Sequence, residues 1–157
     1  MSEVVARFLA FQSPRLTREA LGEEGPNLFG EARACGAAWR ELAAEVGVPC
    51  PDALVLLGDA MAERYVYFRF RRHQFAMFYP EDARSEREHL SNMATKWTEL
   101  APFAAMLPIF GEDGDSLLLD NHGQVWFLLH DDSPPQEPVA PNLDSVLLEA
   151  SPPVVNL

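Results

Sequence analysis

Cysteine is scarce in this chain, at 2 of 157 residues. That is too few for a disulfide scaffold, and Cys35 and Cys50 lack the paired spacing of a structural zinc site. Reduced thiols are expected, and with them a cytoplasmic location. No apolar run approaches the roughly 18 residues that span a bilayer, and the opening residues show no signal-peptide cleavage pattern. No membrane partner is expected. Basic residues are also few, 12 against 24 acidic ones, for a net charge of −12. A protein that grips phosphate backbones needs the opposite sign, so nucleic acid is disfavoured as a partner. Glycine-rich phosphate loops, H-E-x-x-H, C-x-x-C and G-x-S-x-G are all missing, and no cofactor or metal is expected.

Apolar residues make up 48% of the chain and aromatics 10%. A chain of this length and composition can bury a core, and a single domain over 1–157 is the simplest organisation. The acidic excess is segregated. Residues 1–80 hold 9 basic and 10 acidic side chains, whereas residues 81–157 hold 3 and 14, with no lysine or arginine after Lys96. Solubility does not require segregation, because scattered charges serve as well. A field of one sign on part of a domain attracts an oppositely charged partner and speeds encounter. A solvated acidic face without a partner is the plainer alternative.

Residues 3–11 place Val4, Val5, Phe8, Leu9 and Phe11 near one helical stripe. A second helix is expected from a cap at Asn27 through Leu28, Ala32, Cys35, Trp39, Leu42 and Val46, stopped by Gly47 and Pro49. Gly30 and Gly36 within it weaken the helix or admit a neighbouring backbone. Residues 52–64 are ambiguous between strand and helix. Residues 65–70 alternate, with Val66, Phe68 and Phe70 on one face, and residues 74–79 form a second aromatic run. Arg71, Arg72 and His73 between them predict a β-hairpin. Arg69, Arg71 and Arg72 form a basic cluster of the kind that guards an edge strand, with an anion site as the alternative.

Ser85 and Glu88 fit a capping box. Leu90, Met93, Ala94, Trp97 and Leu100 then give an apolar face expected to cover a sheet, ending at Pro102. Residues 116–119 and 124–130 read as paired strands around a turn at Asp120-Asn121-His122-Gly123, where Gly123 suits a positive φ. An acidic, proline-rich loop follows over 131–138. Leu143, Val146, Leu147 and Leu148 predict a last short helix capped by Asn142 or Asp144.

Catalytic patterns are weak. Gly114-Asp115-Ser116-Leu117 spells a serine-esterase signature, but no Asp-x-x-His follows, and Ser116 reads better as a turn residue entering a strand. Glu112, Asp113, Asp115 and Asp120 lack the order of a dedicated cation loop. His130-Asp131 resembles half of a metal-dependent hydrolase pair, yet His73, His89 and His122 have no spacing that ties them to it. A binding role is the better expectation than an enzyme.

Trp97, Leu107-Pro108-Ile109, the Gly/Asp-rich residues 111–115, Leu117-Leu118-Leu119-Asp120, Gly123-Gln124-Val125-Trp126, His130-Asp131 and residues 139–147 occur in that order. This stretch, over residues 97–150, resembles the core of the SUKH superfamily, which includes the yeast Smi/Knr cell-wall regulator and many bacterial immunity proteins. Residues 1–50 form a helical part without a clear family opening. The resemblance implies an α+β domain, with a twisted mixed or antiparallel sheet and helices packed on it. It also implies an immunity protein that binds and neutralises a cognate protein toxin. Leu107, Pro108, Asp120, Gly123 and Trp126 are read as fold-specifying. Combined with the charge pattern, it makes Glu112, Asp113, Asp115, Asp131 and Asp132 the expected contacts to a basic toxin surface. These two sets of carboxylates could fall on the same or opposite ends of the sheet. An acidic secretion chaperone, a Smi/Knr-type scaffold and a small enzyme are the competing readings.

Overall fold

Two kinds of apolar pattern build the sheet. In β1 (Tyr67–Phe70) and β2 (His73–Met77), Phe68, Phe70, Phe75 and Met77 are buried, while Tyr67, Arg69, Gln74 and Ala76 between them are half-exposed. In β3 (Leu107–Glu112), β4 (Asp115–Leu119) and β5 (Val125–Leu128) the apolar residues run on almost without a break. Successive side chains of a strand point to opposite faces, so alternation implies one covered face and a continuous run implies two. A computed structural model, describing residues 2–15 and 32–154, has this division. The five strands form an antiparallel meander in the order β1-β2-β3-β4-β5. The fold is α+β, and the sheet is antiparallel rather than mixed.

One face carries the main core. Leu117, Leu119, Val125 and Phe127 join Phe68, Phe75 and Phe110 there. Helices α1 (Glu3–Ala10), α2 (Gly36–Val46) and α3 (Asp52–Ala60) cover it with Val5, Phe8, Trp39, Leu42, Leu54 and Leu57. On the opposite face Leu118, Trp126 and Leu128 meet Leu90 of α4 (Pro80–Ala94), Leu100 of a single 3-10 turn (Thr98–Leu100) and Phe103 of α5 (Ala101–Ala104). Helix α6 (Leu143–Glu149) returns to the main core through Val146 and Leu147. Each such fully buried side chain contributes about 1.5–3 kcal/mol of hydrophobic stabilisation.

The helix starts differ from the sequence expectation. Helix α2 begins at Gly36, and Ala32 and Cys35 precede it; Asn27, Leu28 and Gly30 lie outside the described residues. Its first turn is held from α3 instead: Cys35 N–H donates to Gly58 O at 3.0 Å and Gly36 N–H to Asp59 Oδ1 at 2.9 Å. Residues 52–60 resolve the ambiguous stretch as helix. Helix α4 starts at Pro80, where a missing N–H costs nothing, and Asp82 accepts from Tyr79 N–H at 3.2 Å. Ser85 is therefore interior, its Oγ donating to Glu81 O at 3.1 Å, and no capping box forms there. The helix stops at Ala94, so Trp97 is 51% exposed rather than part of the covered face. Pro102 lies in the first turn of α5 instead of ending a helix.

The turns fix the sheet ends. Asp120 is buried, and Oδ1 accepts from His122 N–H at 2.8 Å and Gln124 N–H at 2.9 Å, while Oδ2 accepts from Trp126 Nε1 at 2.9 Å. Gly123, with φ 78°, completes that turn. The β3–β4 turn is Asp113-Gly114, φ 52° and 90°, a sequence suited to two left-handed residues. The β1–β2 turn places Arg71 and Arg72 at φ 48° and 72°, which for side chains of this type costs roughly 1–2 kcal/mol each. Both sheet edges are blunted. Arg69 exchanges backbone hydrogen bonds with Ser151 just before Pro152 and Pro153, and Val125 pairs with Ala140. Among the described residues, no helix is long and apolar enough to cross a membrane.

Candidate functional site

An antiparallel meander puts the end of β3, the start of β4 and the end of β5 together, and the carboxylates of interest sit on those ends. Asp115, the first residue of β4, accepts from the His130 backbone N–H at 3.1 Å and lies 2.7 Å from His130 Nδ1. His130 Nε2 in turn faces Asp131 Oδ2 at 3.1 Å, and His73 Nδ1 approaches Asp115 Oδ2 at 3.6 Å. The two sets of carboxylates therefore share one end of the sheet. The histidines that sequence spacing left unconnected, His73 and His130, meet at one aspartate.

The five carboxylates do different things. Glu112 is half-buried and accepts from the Tyr67 hydroxyl at 2.9 and 3.1 Å. Burial raises its carboxyl above the ordinary range, against the pull of that hydrogen bond. Burial and then the Glu112 hydrogen bond push the Tyr67 phenol up to about 12. Asp115 has a side chain only 16% exposed and ties strand to loop. Asp113, Asp131 and Asp132 are exposed and point their charge outward.

Both ring nitrogens of His130 face carboxylates, and the Asp115 hydrogen bond above all raises its pKa, with Asp131 and Asp113 adding. The contribution to stability is thus fully present below about pH 6.5, the unfolded value. It is lost as pH rises through the higher folded value. In a side-chain NMR titration His130 is expected to lose its proton at higher pH than a free histidine, and Asp115→Asn is expected to pull that midpoint down. A midpoint unmoved by the substitution would mean that the His130–Asp115 bond does not hold in solution.

Cations partly offset this end. Arg71 and Arg72 occupy the β1–β2 turn at the same end of the sheet, Arg72 directly before His73 of β2. Arg71 pairs with Glu149 at 3.0 Å rather than with the cluster. Other arginines also pair elsewhere, Arg84 with Glu45 at 2.6 Å and Arg33 with Glu81. Among the described residues, the ion pairs made by the five carboxylates come from His73 and His130.

The other sequence-level sites fall apart in space. Asp120 lies at the far end of β4, occupied by its turn, so it does not converge with Glu112, Asp113 and Asp115. Among the described residues, no group of three or more ligating side chains is placed to hold a metal ion. Ser116 is buried inside β4. Cys35 is buried under α3, and burial pushes its thiol up to about 11, away from thiolate chemistry.

The sequence reading missed a groove. Between α4 and the segment after β5 opens a cavity of about 380 Å³. Its apolar lining includes Leu90, Met93, Trp97, Leu100, Leu128 and Leu129, and it borders the acidic end of the sheet at Gly114 and Asp132. The exposed indole of Trp97 was the available signal, hidden because a regular helix through residue 97 would have buried it. A larger cavity of about 690 Å³ lies by the β4–β5 turn at His122 and Gly123, with Arg40, Cys50 and Asp144 in its lining. None of the five carboxylates reaches it. Compared with known proteins, the chain matches no family model and no curated protein.

Proposed function

We propose that this chain is a binding protein of the immunity type, which captures a cognate toxin by docking the acidic end of its sheet on a basic surface of that toxin. The supporting observation is the convergence of Asp113, Asp131 and Asp132, exposed on adjacent loops that the Asp115–His130 bonds hold together. Charges of one sign on a fixed frame steer association and favour a cationic cleft over other surfaces. Because the frame is set by the β3–β4 turn and the His130 latch, little conformational freedom is lost when a partner settles on it. The resemblance of residues 97–150 to the SUKH core agrees with this reading, since many domains of that kind silence toxins.

The direct test is co-expression with a toxin domain encoded beside this gene. Growth is expected to be restored by the wild-type chain, and the two proteins should co-elute. Continued killing, with no complex at micromolar concentrations, overturns the proposal.

A further inference from the structure

We propose that the groove between α4 and β5 is the apolar half of the same interface, and that it receives a bulky apolar side chain flanked by lysine or arginine on the partner. This deepens the acidic-docking reading and rests on it.

Three observations converge. First, the floor is apolar and one wall is Trp97, 51% exposed and large enough to anchor a contact. Tryptophan is a typical energetic centre of interfaces. Second, the rim is acidic: Glu86, Glu99 and Asp132 line it, with His89 and His130, and among the described residues no lysine or arginine does. Lys96 lies against the Trp97 ring, 5.9 Å from its centre, without entering the lining. Third, the groove is continuous with the acidic end, since Gly114 and His130 belong to both.

Charge complementarity selects the occupant. A second copy of this chain would bring a net charge of −12 against the same acidic rim, which opposes self-association at this site. An apolar segment without cations would leave the rim carboxylates facing nothing. A segment with cations but no apolar side chain would leave the floor wet. Surface carboxylates mainly set the rate of encounter, whereas a desolvated anchor sets the rate of escape. Together the two halves supply what either lacks.

The test uses three synthetic probes against the full chain: an amphipathic lysine–leucine peptide, the same peptide with serine for leucine, and the same with glutamate for lysine. Binding is read by calorimetry and by backbone amide shifts. The lysine–leucine peptide is expected to bind and to shift Met93, Trp97 and Leu129. Trp97→Ala, a substitution at a half-exposed site, should leave the spectrum folded and weaken binding about tenfold or more. Equal binding of the lysine–serine peptide, or an unaffected Trp97→Ala, overturns the groove and leaves the acidic reading standing. Equal binding of the glutamate–leucine peptide overturns the requirement for a basic partner. Binding lost in Trp97→Ala yet unchanged by lysine at Asp113, Asp131 and Asp132 overturns the acidic reading itself. No binding of the lysine–leucine peptide overturns the groove as a docking site.

Discussion

Gly58→Ala is expected to destabilise the protein by about 2 kcal/mol, the net of a strain typically of 1–3 kcal/mol or more and an opposing helix-propensity gain of up to about 1 kcal/mol. Propensity alone predicts the opposite sign, because alanine is the better helix former and Gly58 lies inside α3. Space decides the matter. A Cβ at Gly58 would stand 2.8 Å from Trp39 Cδ1 and 3.1 Å from both Gly36 N and Gly36 Cα. Trp39 is completely buried, and the other two atoms are backbone. None can yield without moving α2 relative to α3. Gly36→Ala meets the same crossing from the other side, 2.6 Å from Val55 O. For a domain of this size, a loss of 2 kcal/mol corresponds to a melting point lower by about 4–8 °C. The two substitutions share one contact, so the double variant should cost less than the sum. Thermal unfolding of the three variants checks this, and a raised melting point in Gly58→Ala would refute the close crossing.

That crossing also shows what the sequence could and could not convey. Gly30 and Gly36 could be recognised as places for a backbone to approach, but not which backbone, because Gly58 sits in a stretch whose apolar pattern suits strand and helix alike. Local chemistry was readable where it is self-contained. The Asp120–Gly123 turn, the β1–β2 hairpin and the Asn142 cap of α6, with its 2.8 Å bond from Ser145 N–H, each need only neighbours in sequence. Helix starts misled where tertiary partners replace local ones. Cys35 and Gly36 bond to α3, and those bonds set the first turn of α2 at Gly36. Ser85 and Glu88 had the right spacing for a box, but Pro80 and Asp82 had already begun that helix.

The candidate site follows the same rule. Its residue types were legible because charge segregation is a property of composition. Its geometry was not, because the Asp115–His130 bond spans β4 and β5 and the approach of His73 spans β2 to β4. The continuous apolar runs of β4 and β5 are those of strands covered on two faces. They could not say that the helix over the second face would stop at Ala94 and leave Trp97 beside an open groove.

Lysine at Asp113, Asp131 and Asp132 together is expected to weaken capture of the basic partner by roughly 100-fold or more at low salt. Each replacement changes the local charge by two, and all three side chains are exposed on one end of the sheet. The wild-type affinity should fall as salt is added, since charges farther apart than about 8–10 Å are screened near physiological ionic strength. The variant should have lost that dependence, or reversed it. Stability should fall modestly, because lysine at Asp113 takes over a φ of 52° that aspartate tolerates better, at a cost of about 1 kcal/mol. Of the three, only Asp131 makes an ion pair among the described residues, with His130 on the surface, and exposed pairs of this kind contribute little to stability. Net charge must be separated from position, so the control puts lysine at Glu41, Glu63 and Asp144, which are exposed and lie on α2, after α3 and on α6. The control carries the same total charge as the variant. If capture depends on the field at this end of the sheet, the control should bind within a few-fold of wild type while the variant does not. Equal losses in the two would reduce the effect to overall charge. An unchanged affinity in the variant at low salt would take Asp113, Asp131 and Asp132 out of the interface, leaving Trp97 and the groove to be judged by the peptide probes alone.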